Sequence, residues 1–262
     1  MLAGETAHPG VLGSPGGPTV IGHRGLGRGV VAGHEQNTLG SFAAAAALGV
    51  PWVEVDVRRT ADDELVVAHD AVDAAGAWVA DLTSAQTDEC GVLRLRDLLA
   101  ALPPGVGVDL DLKSAMPDSG RTPDRTTAGL LAPVAAAELA RRPLMVTSFD
   151  PAALQHVRAA APEVPLGWLT WQSFPLEAAV AGCAHLDVEA LAVHVGSFTD
   201  PRTGQFDAAL AARAVALVHD CGKELLVWCP DPALTRQLAD AGADAVVVDQ
   251  VPRAWGQLHP AA

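Results

Sequence analysis

Short apolar runs recur along the chain, and alanine-rich helical stretches lie between most of them. The runs are TVIGHRG (19–25), WVEVDVR (52–58), ELVVAHD (64–70), GVGVDLDLK (105–113), LMVTSF (144–149), PLGWLT (165–170), ALAVHV (190–195), ELLVWC (224–229) and DAVVVD (244–249). Strands alternating with helices predict βαβ units and a parallel sheet, since a parallel return needs a crossover of a dozen or more residues. One junction breaks the rule. Only RTADD separates the second run from the third, so these two are predicted to form a hairpin. Eight parallel positions remain. Eight strands close a (β/α)8, or TIM, barrel, and 262 residues suits its usual size of about 250. A doubly wound open sheet is the competing architecture, but no GxGxxG follows the first run.

Helix ends are well marked. Asn37-Thr38 and Asp150-Pro151 suit N-caps, and glycine follows the last turn in LGV, CGKE and AGAD. Segment 71–104 has weaker periodicity and is predicted as a small insertion after the hairpin, with one short helix, LRLRDLLAAL. Segment 114–128 reads as a polar loop. Residues 1–18 lack the basic and apolar regions of a signal peptide and read as a flexible tail. Residues 19–262 read as a single barrel domain.

In such barrels the chemistry sits where the strands end. The first run ends in His23-Arg24-Gly25, the hairpin return in His69-Asp70, and the fourth run in Asp109-Leu110-Asp111-Leu112-Lys113, while Trp228 stands on a later one. The stretch VEVDV alternates with period two, so one face is valine and the other carries Glu54 and Asp56. Paired acids on one strand face repel unless something positive lies between them. Oxygen ligands at i and i+2 suit a hard divalent cation, Mg²⁺ or Ca²⁺, with Asp111 on a neighbouring strand as a third carboxylate. That cation, Arg24 and Lys113 would receive a phosphate-like anion, and two histidines of near-neutral pKa suit a general acid and base. The chain has only two lysines among its 17 basic residues, and one of them is Lys113. His34, His156, His185, His194 and His219 show no such surroundings, although His194 sits on a predicted strand.

Composition removes other classes. Net charge is −14 with pI near 4.9, and the nearest thing to a basic patch is the pair Arg141-Arg142. Nucleic-acid binding is therefore not expected, and an acidic surface repels anionic lipid, so no stable membrane association is expected either. Half the residues are hydrophobic, enough for a large core. Cys90, Cys183, Cys221 and Cys229 form no CxxC pair and no histidine lies at zinc spacing, so they read as reduced, mostly buried thiols of a cytoplasmic protein.

IGHRG, EQNTLGSF and VEVDVRRTADDELVVAHD in this order closely resemble the glycerophosphodiester phosphodiesterase family, and the likeness continues through DLDLKS and GADAVVVDQVP, covering residues 19–253. The resemblance implies a TIM barrel and a metal-dependent phosphodiesterase that hydrolyses a small-molecule glycerophosphodiester. By position it makes His23 and His69 the acid–base pair, and Glu54, Asp56 and Asp111 the ligands of a divalent cation. It makes Arg24 and Lys113 phosphate-binding residues and Trp228 an aromatic wall of the substrate site. Two positions depart from the family pattern: Gln36 stands where PENT has glutamate, and Asp111 where the ExK pair has glutamate. Asp111 also suits a sphingomyelinase D-like lyase that leaves a cyclic phosphate. The two departures together suit a non-catalytic barrel that binds a phosphoryl ligand.

Overall fold

The computed structural model describes residues 10–13, 17–172 and 174–259. Eight parallel strands form a closed barrel: β1 Thr19–Gly22, β2 Trp52–Arg59, β3 Gly107–Leu112, β4 Leu144–Ser148, β5 Leu166–Leu169, β6 Ala190–His194, β7 Glu224–Trp228 and β8 Ala245–Val248. Each strand pairs with the next in sequence, and β8 returns to β1, pairing Thr19 with Ala245. The predicted hairpin is present, with Leu65–Val67 running antiparallel to the far end of β2.

Helices cover the outside: α1 Leu39–Ala47, α2 Ser84–Glu89, α3 Leu95–Ala101, α4 Thr127–Leu139, α5 Pro151–Ala160, α6 Leu176–Cys183, α7 Ala208–Asp220, α8 Thr235–Asp240 and α9 Val251–Leu258. Thr38 and Asp150 cap α1 and α5 through their side chains, as their sequences predict. The insertion 71–104 holds two helices rather than one. The missed helix, α2, begins with a capping box in which Thr83 and Gln86 satisfy each other's backbone donors. T-x-x-Q within LTSAQT carries that signal. Helices α6 and α9 also lie outside the segments that sequence patterning picks out.

Strand parity separates two cores. On β2, Val53, Val55 and Val57 point outward into the helix layer, whereas Trp52 belongs to the inner cluster with Ile21, Met145, Leu169, Ala192, Leu226 and Val247. Gly107 is required beside it, because a Cβ there would lie 2.4 Å from the Trp52 ring. The same inner face of β2 goes on to Glu54 and Asp56, so the apolar plug at one end becomes acidic toward the other.

The expectation of a loose tail over 1–18 fails for residues 10–13. Leu12 is buried in the inner cluster, and the backbone N–H groups of Val11, Leu12 and Gly13 donate to the Glu224 carboxylate. Glu224 opens β7, so this contact lies at the end of the barrel opposite the strand termini. The rest of 1–18, apart from residues 17 and 18, lies outside the described residues.

Arg142 is not part of a basic surface. Its side chain is fully buried, bonded to Glu138 at 2.9 Å and to the carbonyls of Leu99, Leu102 and Pro103 at the end of α3. Removing one partner of such a pair leaves a poorly compensated carboxylate and several unsatisfied carbonyls. Arg142→Ala is expected to cost about 3–5 kcal/mol, seen as a lower urea midpoint at unchanged slope. Arg141→Ala, at a half-exposed pair with the same glutamate, is expected to cost at most about 1 kcal/mol.

Candidate active site

The site is built from inward positions at the C-terminal strand ends. In register, Glu54 lies opposite Asp109 and Asp56 opposite Asp111, so two neighbouring strands place four acids in two layers. All four are buried. Burial first, then repulsion from Asp56 and Asp111, pushes the Glu54 carboxyl well above its usual range. Burial lifts Asp109 to about 8, even though Thr147 Oγ1 donates to it at 2.7 Å. Asp111 is also raised by burial, against the pull of Lys113. Asp56 is the exception. Burial would raise it, but Lys113, Arg24 and the Asn37 amide hold it at about 2.

Three oxygens stand out. Glu54 Oε1, Asp56 Oδ1 and Asp111 Oδ1 are buried and accept no hydrogen bond; Asp56 Oδ1 lies 3.0 Å from the Lys113 ammonium without an aligned bond. Glu54, Asp56 and Asp111 each bring one carboxylate oxygen within 4.8 Å of the others. Unsatisfied, mutually repelling oxygens are the donor set a hard divalent cation takes, so these three residues fit a Mg²⁺- or Ca²⁺-like ion. The short Asp111 side chain still reaches, because its strand is in register with Asp56.

The histidines are held by different elements. His23 follows β1, in a turn that needs Gly25 at φ +96, where a Cβ would strike the backbone of Ser41 and Phe42. Its Nδ1 contacts Asp249 Oδ1, and its Nε2 lies 3.7 Å from Glu54 Oε2. His69 arrives on the hairpin return. Ala68 N–H donates to the Asp56 carbonyl at 3.1 Å, and the Arg58 guanidinium grips the His69 carbonyl at 2.7 Å. His69 Nδ1 lies 2.8 Å from Asp70 Oδ1, and burial holds the imidazole below its ordinary value.

Arg24 is buried, at φ +54, with Nε 3.1 Å from Asp56 and Nη1 donating to Gln36 Oε1 at 3.1 Å. Gln36 thus accepts as a carboxylate would but adds no negative charge, so Asp56 is the carboxylate that pairs with Arg24. Lys113 bridges Asp56 and Asp111; burial alone would lower its ammonium, but those acids hold it above its ordinary value and charged. Trp228 walls the far side, packed edge-on against His194 and Phe149, and its buried Nε1–H has no acceptor. Phe149 in turn stacks on the exposed Trp171.

All eight residues singled out from the sequence converge here. His23, Arg24, Glu54, His69, Asp111, Lys113 and Trp228 line one cavity of about 370 Å³, with Asp56 directly behind. Sequence reasoning missed Asp249, Asn37 and Arg58 as members of the site, and it placed Asp109 at the strand end without giving it a role. Asp249 ends the run DAVVVD as His23-Arg24-Gly25 ends the first run, and that shared position was the available signal. Arg24, Asn37 and Cys229, three of the five non-glycine residues at positive φ among the described residues, cluster here, as strained backbone does at functional sites. The thiols differ from expectation: Cys183 is buried, but Cys90 and Cys221 are exposed.

A closed (β/α)8 barrel thus carries two histidines, clustered carboxylates and two basic side chains, Arg24 and Lys113, at one mouth. The chain belongs to the glycerophosphoryl diester phosphodiesterase family, whose profile matches residues 23–253. A crystal structure of a glycerophosphoryl diester phosphodiesterase from Silicibacter pomeroyi is 26% identical, covers 95% of this chain and 96% of that one, and superposes with a TM-score of 0.75. A probable glycerophosphodiester phosphodiesterase of Mycobacterium tuberculosis is 34% identical over 110 residues, 38% of this chain and 40% of that protein. A glycerophosphocholine phosphodiesterase of Eremothecium gossypii is 49% identical over 55 residues, 20% of this chain but only 4% of that protein. The chain therefore spans well under half the length of these two curated relatives.

Proposed function

We propose that this protein hydrolyses glycerophosphodiesters to an alcohol and glycerol phosphate by metal-dependent acid–base catalysis with His23 and His69. One observation carries the reading. Each histidine has its Nδ1 engaged by a carboxylate, Asp249 or Asp70, which leaves Nε2 for the cavity that both residues line. A carboxylate at Nδ1 fixes the tautomer and orients the ring, as a base or acid requires. One histidine takes the proton of the attacking oxygen, from water or the substrate's own neighbouring hydroxyl, and the other protonates the leaving alcohol. Arg24 and Lys113 neutralise the phosphate oxygens, and the unpartnered Trp228 N–H donates to the substrate. Glu54, Asp56 and Asp111 hold a divalent cation, Mg²⁺ or Ca²⁺, which supplies further positive charge to the phosphoryl oxygens when bound.

The aromatic surface of Phe149, Trp171 and Trp228 suits a trimethylammonium head group, which favours glycerophosphocholine among the substrates. The proposed setting is the cytoplasm, on a small soluble molecule; no helix among the described residues is long and apolar enough to cross a membrane.

Glycerophosphodiesters assayed with Mg²⁺, Ca²⁺ and Mn²⁺ test this reading. Turnover is expected to require the metal, to stop with chelator and to release glycerol phosphate. A persistent cyclic phosphate in the phosphorus NMR spectrum would instead favour the lyase. Binding of metal and ligand without any turnover would mark a non-catalytic barrel.

A further inference from the structure

Cys229 follows β7 at φ +53, and its N–H donates to the Val247 carbonyl at 2.9 Å. This conformation turns the thiol into the mouth, 3.7 Å from His23 Nδ1 and 3.6 Å from Asp249 Oδ1. The S–H donates to Asp249, the carboxylate that His23 Nδ1 also contacts. The three residues come from the ends of β7, β8 and β1, which are adjacent around the barrel, and no spacing in the chain announces them. With Zn–S near 2.3 Å and Zn–N or Zn–O near 2.1 Å, the edges of a tetrahedral site are about 3.6 Å to sulfur and about 3.4 Å between nitrogen and oxygen. Both sulfur edges are already at that length. Only the direct His23–Asp249 contact must open.

We propose that His23 Nδ1, Cys229 Sγ and the Asp249 carboxylate form a second metal site, one that takes zinc-type divalent ions and inhibits the enzyme when filled. Its sulfur and imidazole ligands set it apart from the all-oxygen site of Glu54, Asp56 and Asp111, so the activating and inhibiting ions differ in kind. On binding, the thiol releases its proton to water and the thiolate pairs with the ion. The ion takes the Nδ1 lone pair in place of the Nδ1–H···Asp249 bond. The ring proton is then held at Nε2, and His23 has no lone pair to offer the substrate. The inhibition rests on the catalytic reading of His23; the binding does not.

Co²⁺ is the probe for binding. The full chain, with Ca²⁺ in excess at the oxygen site, is expected to develop a thiolate-to-Co²⁺ charge-transfer band in the near ultraviolet. Cys229→Ser, which keeps the other three cysteines and is checked by circular dichroism, is expected to lose it. Absence of the band, or its persistence in Cys229→Ser, overturns the site whatever the enzyme does. Zn²⁺ titration of the metal-activated reaction tests the inhibition, each protein scaled to its own uninhibited rate. The inhibitory concentration is expected to rise at least about tenfold in Cys229→Ser. Equal inhibition of both proteins, alongside a Cys229-dependent Co²⁺ band, overturns the inhibitory role alone.

Discussion

His69→Ala is expected to lower kcat by about 10²–10⁴-fold with KM little changed, the usual loss when a positioned acid or base is removed. The fold should not suffer. The imidazole is partly exposed, and what anchors the hairpin return is the His69 carbonyl held by Arg58 and the Ala68 N–H that donates to the Asp56 carbonyl of β2, both of which survive truncation. His23→Ala should lose activity on the same scale. The double variant should lose much less than the product of the two, because residues that act in one proton relay are not additive. Steady-state kinetics on a glycerophosphodiester, with circular dichroism as the folding control, decides it. Near-normal turnover in either single variant would remove histidine catalysis from the account.

Glu54→Gln should abolish the response to metal without harming the metal-free protein. The amide oxygen can still accept the Arg24 N–H that Glu54 Oε2 accepts at 3.0 Å. What disappears is one of several buried, mutually repelling carboxylates, so the metal-free variant should be at least as stable as the parent. In the parent, a cation at about 100 times its Kd should add about 2.7 kcal/mol, visible as a rise in Tm. In Glu54→Gln that rise should be missing and turnover should fall with it. Asp56→Ala is the harsher test, since Asp56 also pairs with Arg24 and Lys113 and accepts from Asn37, so it should lose stability as well. An unchanged metal-induced Tm shift in Glu54→Gln would move the cation to other residues.

How much of this was legible in the sequence depended on whether the signal was local. Period-two alternation in VEVDV and DLDLK placed Glu54, Asp56 and Asp111 on a single face, and the five residues of RTADD could only be a hairpin, which brought His69 back beside them. Asp249 and Cys229 were hidden for the opposite reason. Each matters only through a residue more than 200 positions away, His23, and closure of β8 onto β1 creates that neighbourhood. The Arg141-Arg142 pair, the nearest approach to a basic patch in the sequence, makes none, because adjacent side chains on a helix end diverge, one into solvent and one into the protein. Residues 10–13 carried no periodicity at all; glycine and proline surround them, and only the Glu224 carboxylate explains why they dock.

That docking separates two boundaries that a reader of motifs would merge. The proposed site begins at His23, and a gene trimmed to start at Thr19 would still encode every residue of it. It would also leave Glu224 facing the base of the barrel without its three N–H donors, and the inner cluster without Leu12 beneath it. The smallest stretch that carries the proposed site and the smallest stretch that closes the base of the barrel are different lengths of the same chain.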